Sequence, residues 1–171
     1  MEIRTFAAVD IGSNAIRLLI NNVEDYKTEL EFKKTAYLRV PIRLGEDVFS
    51  KGAIGEEKAT LLLEAMRGFA HLLKAYGVGK FRACATSAMR EASNGTELVE
   101  RIAKETGIGV EIISGEEEAE IIYANSDMNS LIDKERNYLY VDVGGGSTEV
   151  VAYSNQEKQA ARSFRLGTVR M

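Results

Sequence analysis

Two stretches of the chain place an acid, a glycine turn and small polar side chains in the same order. Ala8-Val9-Asp10-Ile11-Gly12-Ser13-Asn14-Ala15 aligns without a gap on Tyr140-Val141-Asp142-Val143-Gly144-Gly145-Gly146-Ser147, 132 residues further on. In each, an Asp ends an apolar stretch and a turn without bulky side chains follows. Such a turn lets successive backbone N–H groups converge on an anion, and Ser13, Asn14, Ser147 and Thr148 add side-chain donors. A carboxylate beside a phosphate cradle points to a divalent cation between them, because Mg²⁺ favours oxygen ligands and phosphate partners. Taken singly, either stretch reads more simply as a β-turn whose Asp and Gly serve backbone shape. The duplication in equivalent positions tips the reading to anion binding. Neither turn is a Walker loop, and no Gly-x-Gly-x-x-Gly opens a helix after a strand, so P-loop and Rossmann readings are weak.

Two further stretches hold reactive side chains. In Ala85-Thr-Ser-Ala-Met-Arg-Glu-Ala-Ser-Asn94, Thr86, Ser87 and Arg90 follow a strand's carboxyl end. They suit a phosphate, for which Arg offers a two-pronged donor; helix capping by Ser87 or Asn94, with Arg90 solvated, explains them equally well. In Ser114-Gly-Glu-Glu-Glu-Ala-Glu120 the acids complement a helix dipole, or one of them faces a cleft as a general base for water. His71 shares a polar helix face with Arg67 and Lys74, and Cys84 lies mid-strand as a core residue. With one His and one Cys the chain has no Ser-His-Asp triad, disulfide or zinc set to offer.

The elements that must position these residues follow from apolar spacing. Arg4–Asp10, Ala15–Asn21 and Leu30–Val40 read as strands and Gly45–Gly55 as a loop. A helix from Glu56 has Ala59, Leu62, Leu63, Met66, Phe69, Leu73 and Tyr76 on one face and stops at Gly77. Phe81–Ala85 is a strand, Asn94 caps a helix ended by Gly107, Val110–Ile113 is a strand, and a helix runs from Glu116 to about Asn125. Tyr138–Asp142, Glu149–Tyr153 and Ala160–Leu166 are strands again. The order βββαβαβα followed by a new βββ indicates an α/β fold with a mixed sheet and covering helices. Residues 1–126 form one lobe, and residues 127–171 the opening of a second, incomplete one. Three strands with an uncovered apolar face are not a finished lobe, so the chain reads as a fragment.

Composition sets the remaining bounds. The 171 residues carry a net charge of −4, are 45% hydrophobic and 28% charged, and include a single Pro. That is globular composition, and the acidic balance argues against a nucleic-acid binder acting through bulk charge. Apolar runs fall short of the ~20 residues a membrane span needs. Arg4 and Asp10 bracket too short an apolar stretch for a cleavable signal. A reducing compartment, the cytoplasm, is the expected location.

Together the motifs resemble the exopolyphosphatase and guanosine pentaphosphate phosphohydrolase family of the actin-like ATPase superfamily. The resemblance rests on Asp10-Ile-Gly-Ser-Asn14 with Arg17, Arg43-Leu-Gly-Glu46, Ala85-Thr-Ser-Ala-Met-Arg-Glu-Ala92 with Asn94, Ile113-Ser-Gly-Glu-Glu-Glu-Ala119, and Asp142-Val-Gly-Gly-Gly-Ser-Thr-Glu149. It implies a ribonuclease H-like lobe followed by the start of a similar one, with the active site in the cleft between them. By that resemblance Glu118 is the catalytic base, with Glu117 the alternative. Ser13, Asn14 and Arg17 form the first phosphate site, Gly145, Gly146, Ser147 and Thr148 the second, and Arg90 contacts phosphate. Asp142, Glu149 and Asp10 belong to the metal site, for Mg²⁺ or another divalent cation. The substrate would be polyphosphate or guanosine pentaphosphate, with no DNA or membrane partner and a homodimer left open. A non-hydrolysing phosphate- or nucleotide-binding module is the alternative, and an ATP-dependent sugar or acetate kinase of the same superfamily fits the motifs less well. Ala15 stands where many relatives have Ser, Arg165 where Pro is frequent, and relatives continue well beyond Met171.

Overall fold

Side-chain alternation along the first three strands divides a sheet into one face that packs and one that stays open. The computed structural model describes residues 2–25, 30–124, 136–154 and 157–170. In it β1 (Glu2–Ile11), β2 (Ile16–Asp25) and β3 (Leu30–Val40) pair antiparallel. β4 (Lys80–Ala85) and β5 (Glu111–Ile112) extend the other side of β1 in parallel, giving the order β3-β2-β1-β4-β5. Parallel neighbours require a crossover. It is supplied by α1 (Leu44–Lys51) and α2 (Glu56–Ala75) before β4, and by α3 (Ser87–Glu91) and α4 (Gly95–Thr106) before β5. After α5 (Gly115–Ala124), β6 (Tyr138–Val143), β7 (Thr148–Ser154) and β8 (Glu157–Phe164) form a separate antiparallel sheet in sequence order. The architecture is the expected one: a mixed sheet with covering helices, followed by three strands of a second sheet.

The packed face of the first sheet carries Val9, Ile11, Ile16, Leu18 and Ile20. It meets Leu62, Met66 and Phe69 of α2 and Leu98 and Ile102 of α4 in one apolar cluster. Burying each such side chain stabilises by roughly 1.5–3 kcal/mol. The open face presents Asp10 and, in register with it on the neighbouring strands, Arg17 and Cys84. In the second sheet Val151 and Tyr153 pack with Ala119 of α5, while Leu139, Val141 and Val143 on the reverse face remain 66%, 49% and 57% exposed.

Several local features depart from the sequence reading. Residues 44–51 are helical rather than loop: Leu44 and Val48, one turn apart, are both buried, and Gly52 ends the turn at φ 77°. Ser87–Glu91 adds a one-turn helix that apolar spacing did not predict. Asn94 stands at the N-terminus of α4 but makes no side-chain cap. Its carboxamide instead accepts from the Ile54 N–H at 3.0 Å and donates to the Ile54 carbonyl at 2.8 Å, pinning the α1–α2 connection. Cys84, expected in the core, is half-buried on the open face because it shares the register of Asp10. The expected end of α5 at Asn125 and the lobe division at 126/127 lie outside the described residues. Since Asn94→Asp would set a carboxylate against the Ile54 carbonyl, it should destabilise the protein by about 1–3 kcal/mol in urea unfolding. Asn94→Ser, which loses both bonds to Ile54, should also destabilise it, and variants as stable as the parent would show the carboxamide pairing to be dispensable.

Candidate active site

The two glycine turns are closed identically. Gly12 N–H donates to the Ala15 carbonyl at 3.2 Å, and Gly144 N–H to the Ser147 carbonyl at 2.8 Å, in equivalent positions of the two copies. Other carbonyls of each turn are taken from behind. In the first, Ile11, Ser13 and Asn14 accept from the N–H groups of Thr86, Gly45 and Arg43 at 3.2, 2.8 and 2.9 Å. In the second, Gly144 and Gly145 accept from Thr168 and Val169 at 3.1 and 2.8 Å. Arg43 takes a left-handed conformation (φ 58°, ψ 50°) to make its bond and start α1, a geometry costing a non-glycine residue ~1–2 kcal/mol. The N–H groups of Ser13, Asn14, Ala15, Gly145, Gly146 and Ser147 donate to no group among the described residues.

The backing segments are themselves duplicated. Arg43-Leu44-Gly45 follows the third strand of the first sheet, and Arg165-Leu166-Gly167 the third strand of the second. A Cβ on Gly45 would lie 3.1 Å from Ser13 Cβ, and one on Gly167 would overlap the backbone of Gly145, the counterpart of Ser13. The sequence signal for this pairing was the Arg-Leu-Gly triplet recurring 122 residues apart.

The turns meet face to face. A Cβ on Gly145 would stand 3.2 Å from Ser13 Cβ and 3.4 Å from Asn14 N, and one on Gly146 would collide with Phe49, Ser87 Oγ and Ser13 Oγ. Only glycine allows this approach. A 2.8 Å hydrogen bond between the Ser13 and Ser87 hydroxyls adds α3 to the junction. Asp10, Ser13, Asn14, Arg17, Glu118, Asp142, Gly145 and Ser147 line one cleft of about 470 Å³, together with Arg82 and Cys84 from β4. Arg90 lines an adjoining recess that shares Ser147 and includes Arg165. Its guanidinium donates to the Ile113 carbonyl at 2.6 Å and lies 3.9 Å from Glu118 Oε2. Thr148 stands beside the cleft, its hydroxyl donating to the Leu166 carbonyl at 2.8 Å.

The acids divide by environment. Glu118, in the first turn of α5, has a buried Oε2 with no hydrogen-bond partner. Burial pushes its carboxyl from the ordinary 4.5 up to about 7; Glu149, Asp10 and Asp142 push the same way, and Arg90 opposes them. Glu117 turns aside and accepts from Arg82 at 2.7 Å, while Arg82 also binds Glu111. Asp10 is ion-paired with Arg17, although desolvation still holds its carboxyl above the usual value. Asp142 has Glu149 directly opposite it, where Asp10 has Arg17. Glu149 is buried, accepts from Ser163 Oγ at 2.9 Å, and leaves its Oε2 without a partner. Among the described residues no three His, Cys, Asp or Glu side chains form a protein-only metal cage. An acidic pair without a cation beside uncommitted amides does fit Mg²⁺, which is commonly held by one or two carboxylates plus phosphate oxygens and water.

The chain matches the Ppx/GppA phosphatase family over residues 23–171. It belongs to that family. It is 34% identical over 168 residues to a bifunctional 3-dehydroquinate synthase/phosphatase of Fusobacterium nucleatum, covering 96% of this chain and 25% of that protein. It is 29% identical over 170 residues to exopolyphosphatase 1 of Mycobacterium tuberculosis, covering 95% of this chain and 46% of the relative. An exopolyphosphatase structure from Cytophaga hutchinsonii superposes with a TM-score of 0.83 at 30% identity, over 98% of this chain and 52% of that one. The chain thus spans less than half the length of these two curated relatives. Among the described residues no helix is long and apolar enough to cross a membrane.

The raised Glu118 pKa has a definite sign in stability. The folded state holds this proton up to about pH 7, whereas the unfolded chain releases it near 4.5. The group's contribution is therefore intact below about pH 4.5 and is lost as pH rises to about 7. Glu118→Gln should be more stable than the parent at pH 8 by ~1–2 kcal/mol, allowing for partial solvent screening, and should match it near pH 4.5. Equal denaturant midpoints at both pH values would contradict the shift.

Proposed function

We propose that this chain forms the cleft of a phosphoanhydride hydrolase that removes the terminal phosphate of inorganic polyphosphate or guanosine pentaphosphate. The observation that carries the reading is the pair of turns with uncommitted N–H groups on facing walls, and a carboxyl with a pKa of about 7 lining the same cleft. Preorganised amides of this kind stabilise charge on transferring phosphoryl oxygens without reorganising during the reaction.

The roles follow from position. The amides of residues 13–15 and 145–147 would grip successive phosphates from either wall, with Arg17 and, from the adjoining recess, Arg90 adding positive charge. Glu118 would orient a water in line with the terminal phosphorus and accept its proton, for which a pKa near the working pH is the favourable compromise. Asp142, with Glu149 opposite and Asp10 across the cleft, would hold Mg²⁺, which supplies neutralisation of the phosphate oxygens. A cytoplasmic location agrees with the single unpaired cysteine. A module that only bound phosphate would gain nothing from a desolvated acid in the cleft whose Oε2 has no hydrogen-bond partner, so hydrolysis is preferred over the binding-only alternative.

The test is phosphate release by the intact protein with Mg²⁺, with polyphosphate and guanosine pentaphosphate in parallel. Glu118→Gln should lower kcat by roughly 10²–10⁴-fold and leave KM within a few-fold. Glu117→Gln should lower it far less, because that side chain is engaged by Arg82 and does not itself line the cleft. Undiminished turnover in Glu118→Gln, or no release from either substrate by the parent protein, would contradict the proposal.

A further inference from the structure

The second turn is braced by a side chain that also reaches the first lobe. Behind it, Thr168 and Val169 donate backbone N–H groups to the Gly144 and Gly145 carbonyls, and Arg170 Nε donates to the Gly146 carbonyl at 2.9 Å. The described peptides contain no cis bond, and in a trans peptide the N–H points opposite to the C=O of the same plane. Three carbonyls turned back toward residues 168–170 therefore turn the N–H groups of Gly145, Gly146 and Ser147 the other way. Gly145 and Ser147 line the cleft.

The third brace differs between the copies. In the first turn the bond to the Asn14 carbonyl comes from a backbone N–H, that of Arg43. In the second, the equivalent bond to Gly146 comes from a guanidinium with two other engagements. It donates to Glu91 Oε1 at the end of α3 at 2.6 Å, and it stacks 4.0 Å from the centre of the Phe49 ring on α1. Both partners belong to the first lobe. A planar, multi-donor group can serve all three at once, which an ammonium cannot.

We propose that Arg170 is a positioning residue that holds the Ser147 N–H toward bound phosphate and ties that orientation to the seating of the second turn on Glu91 and Phe49. The proposal rests on the reading of the turns as phosphate sites. It assigns Arg170 no contact with substrate.

Arg170→Ala, Arg170→Lys and Glu91→Gln in the intact protein test it, with tripolyphosphate and Mg²⁺ as the calorimetric probe and polyphosphate turnover in parallel. Arg170→Ala should weaken tripolyphosphate binding about 10- to 100-fold, the range of a hydrogen bond to a charged group. KM should rise correspondingly, with kcat within a few-fold and the melting temperature within a few degrees. Arg170→Lys should recover only part of the loss, and Glu91→Gln should show a smaller loss of the same kind. If Arg170→Ala does not fold, Glu91→Gln decides. Unchanged affinity in the variants, or full recovery by lysine, overturns the proposal. If the parent protein binds no tripolyphosphate, the phosphate reading itself has failed. The brace is then judged from crystal structures: a rotated Gly146–Ser147 peptide in Arg170→Ala supports it, and an unmoved peptide overturns it.

Discussion

The cleft is organised by backbone amides that find no partner among the described residues. Secondary structure normally consumes such groups, and leaving them unpaired away from water is costly. Here the carbonyls of both turns are satisfied from behind while six N–H groups donate to no described residue. That division is a property of chain direction rather than of any reactive side chain. Close approach of the two turns accounts for the glycines at 145 and 146: a Cβ at 146 would strike Phe49, Ser87 and Ser13, and one at 145 would crowd Ser13. The division of carbonyls from N–H groups explains the tolerance of strain at Arg43, whose N–H completes the backing of the first turn.

On this duplicated frame the two copies carry opposite electrostatics. Arg17 and Glu149 occupy equivalent positions, each directly across from the Asp of its own hairpin. One wall of the cleft is therefore internally neutralised and the other is acidic. Glu118 sits under the influence of that acidity and of burial together, and this holds its carboxyl close to neutrality. A single change of side-chain sign at matched sites thus gives two turns of the same backbone design different electrostatics, and on the proposed function both would hold phosphate while the acidic one would also gather a cation.

Much of this was legible in the sequence because it depends on local pattern. Acid-glycine turns at a fixed spacing, a helix stripe from Ala59 to Leu73 and a second set of strands all follow from periodicity, and the family resemblance rested on contiguous motifs. What was hidden depended on register or on distant pairing. Cys84 was read as core, and Arg82 drew no reading at all, because facing Asp10 rather than α2 is set by which β4 residue pairs with Asp10. The helix at Leu44–Lys51 was obscured by its flanking glycines, of which Gly52 is a terminator rather than a loop residue. Asn94 was placed as a cap, its usual role, whereas its partner lies 40 residues away. The matching Arg-Leu-Gly triplets were visible as separate motifs, but their equivalence needed the close approach of Gly45 to Ser13 and of Gly167 to Gly145.

The central claim is that both turns grip one chain of phosphates. The direct measurement is ¹H–¹⁵N NMR of the intact protein during titration with tripolyphosphate and Mg²⁺. The account predicts that the amide resonances of Ser13, Asn14, Ala15, Gly145, Gly146 and Ser147 move together, along a single saturation curve. Movement confined to one turn, or two curves with separate midpoints, would contradict it.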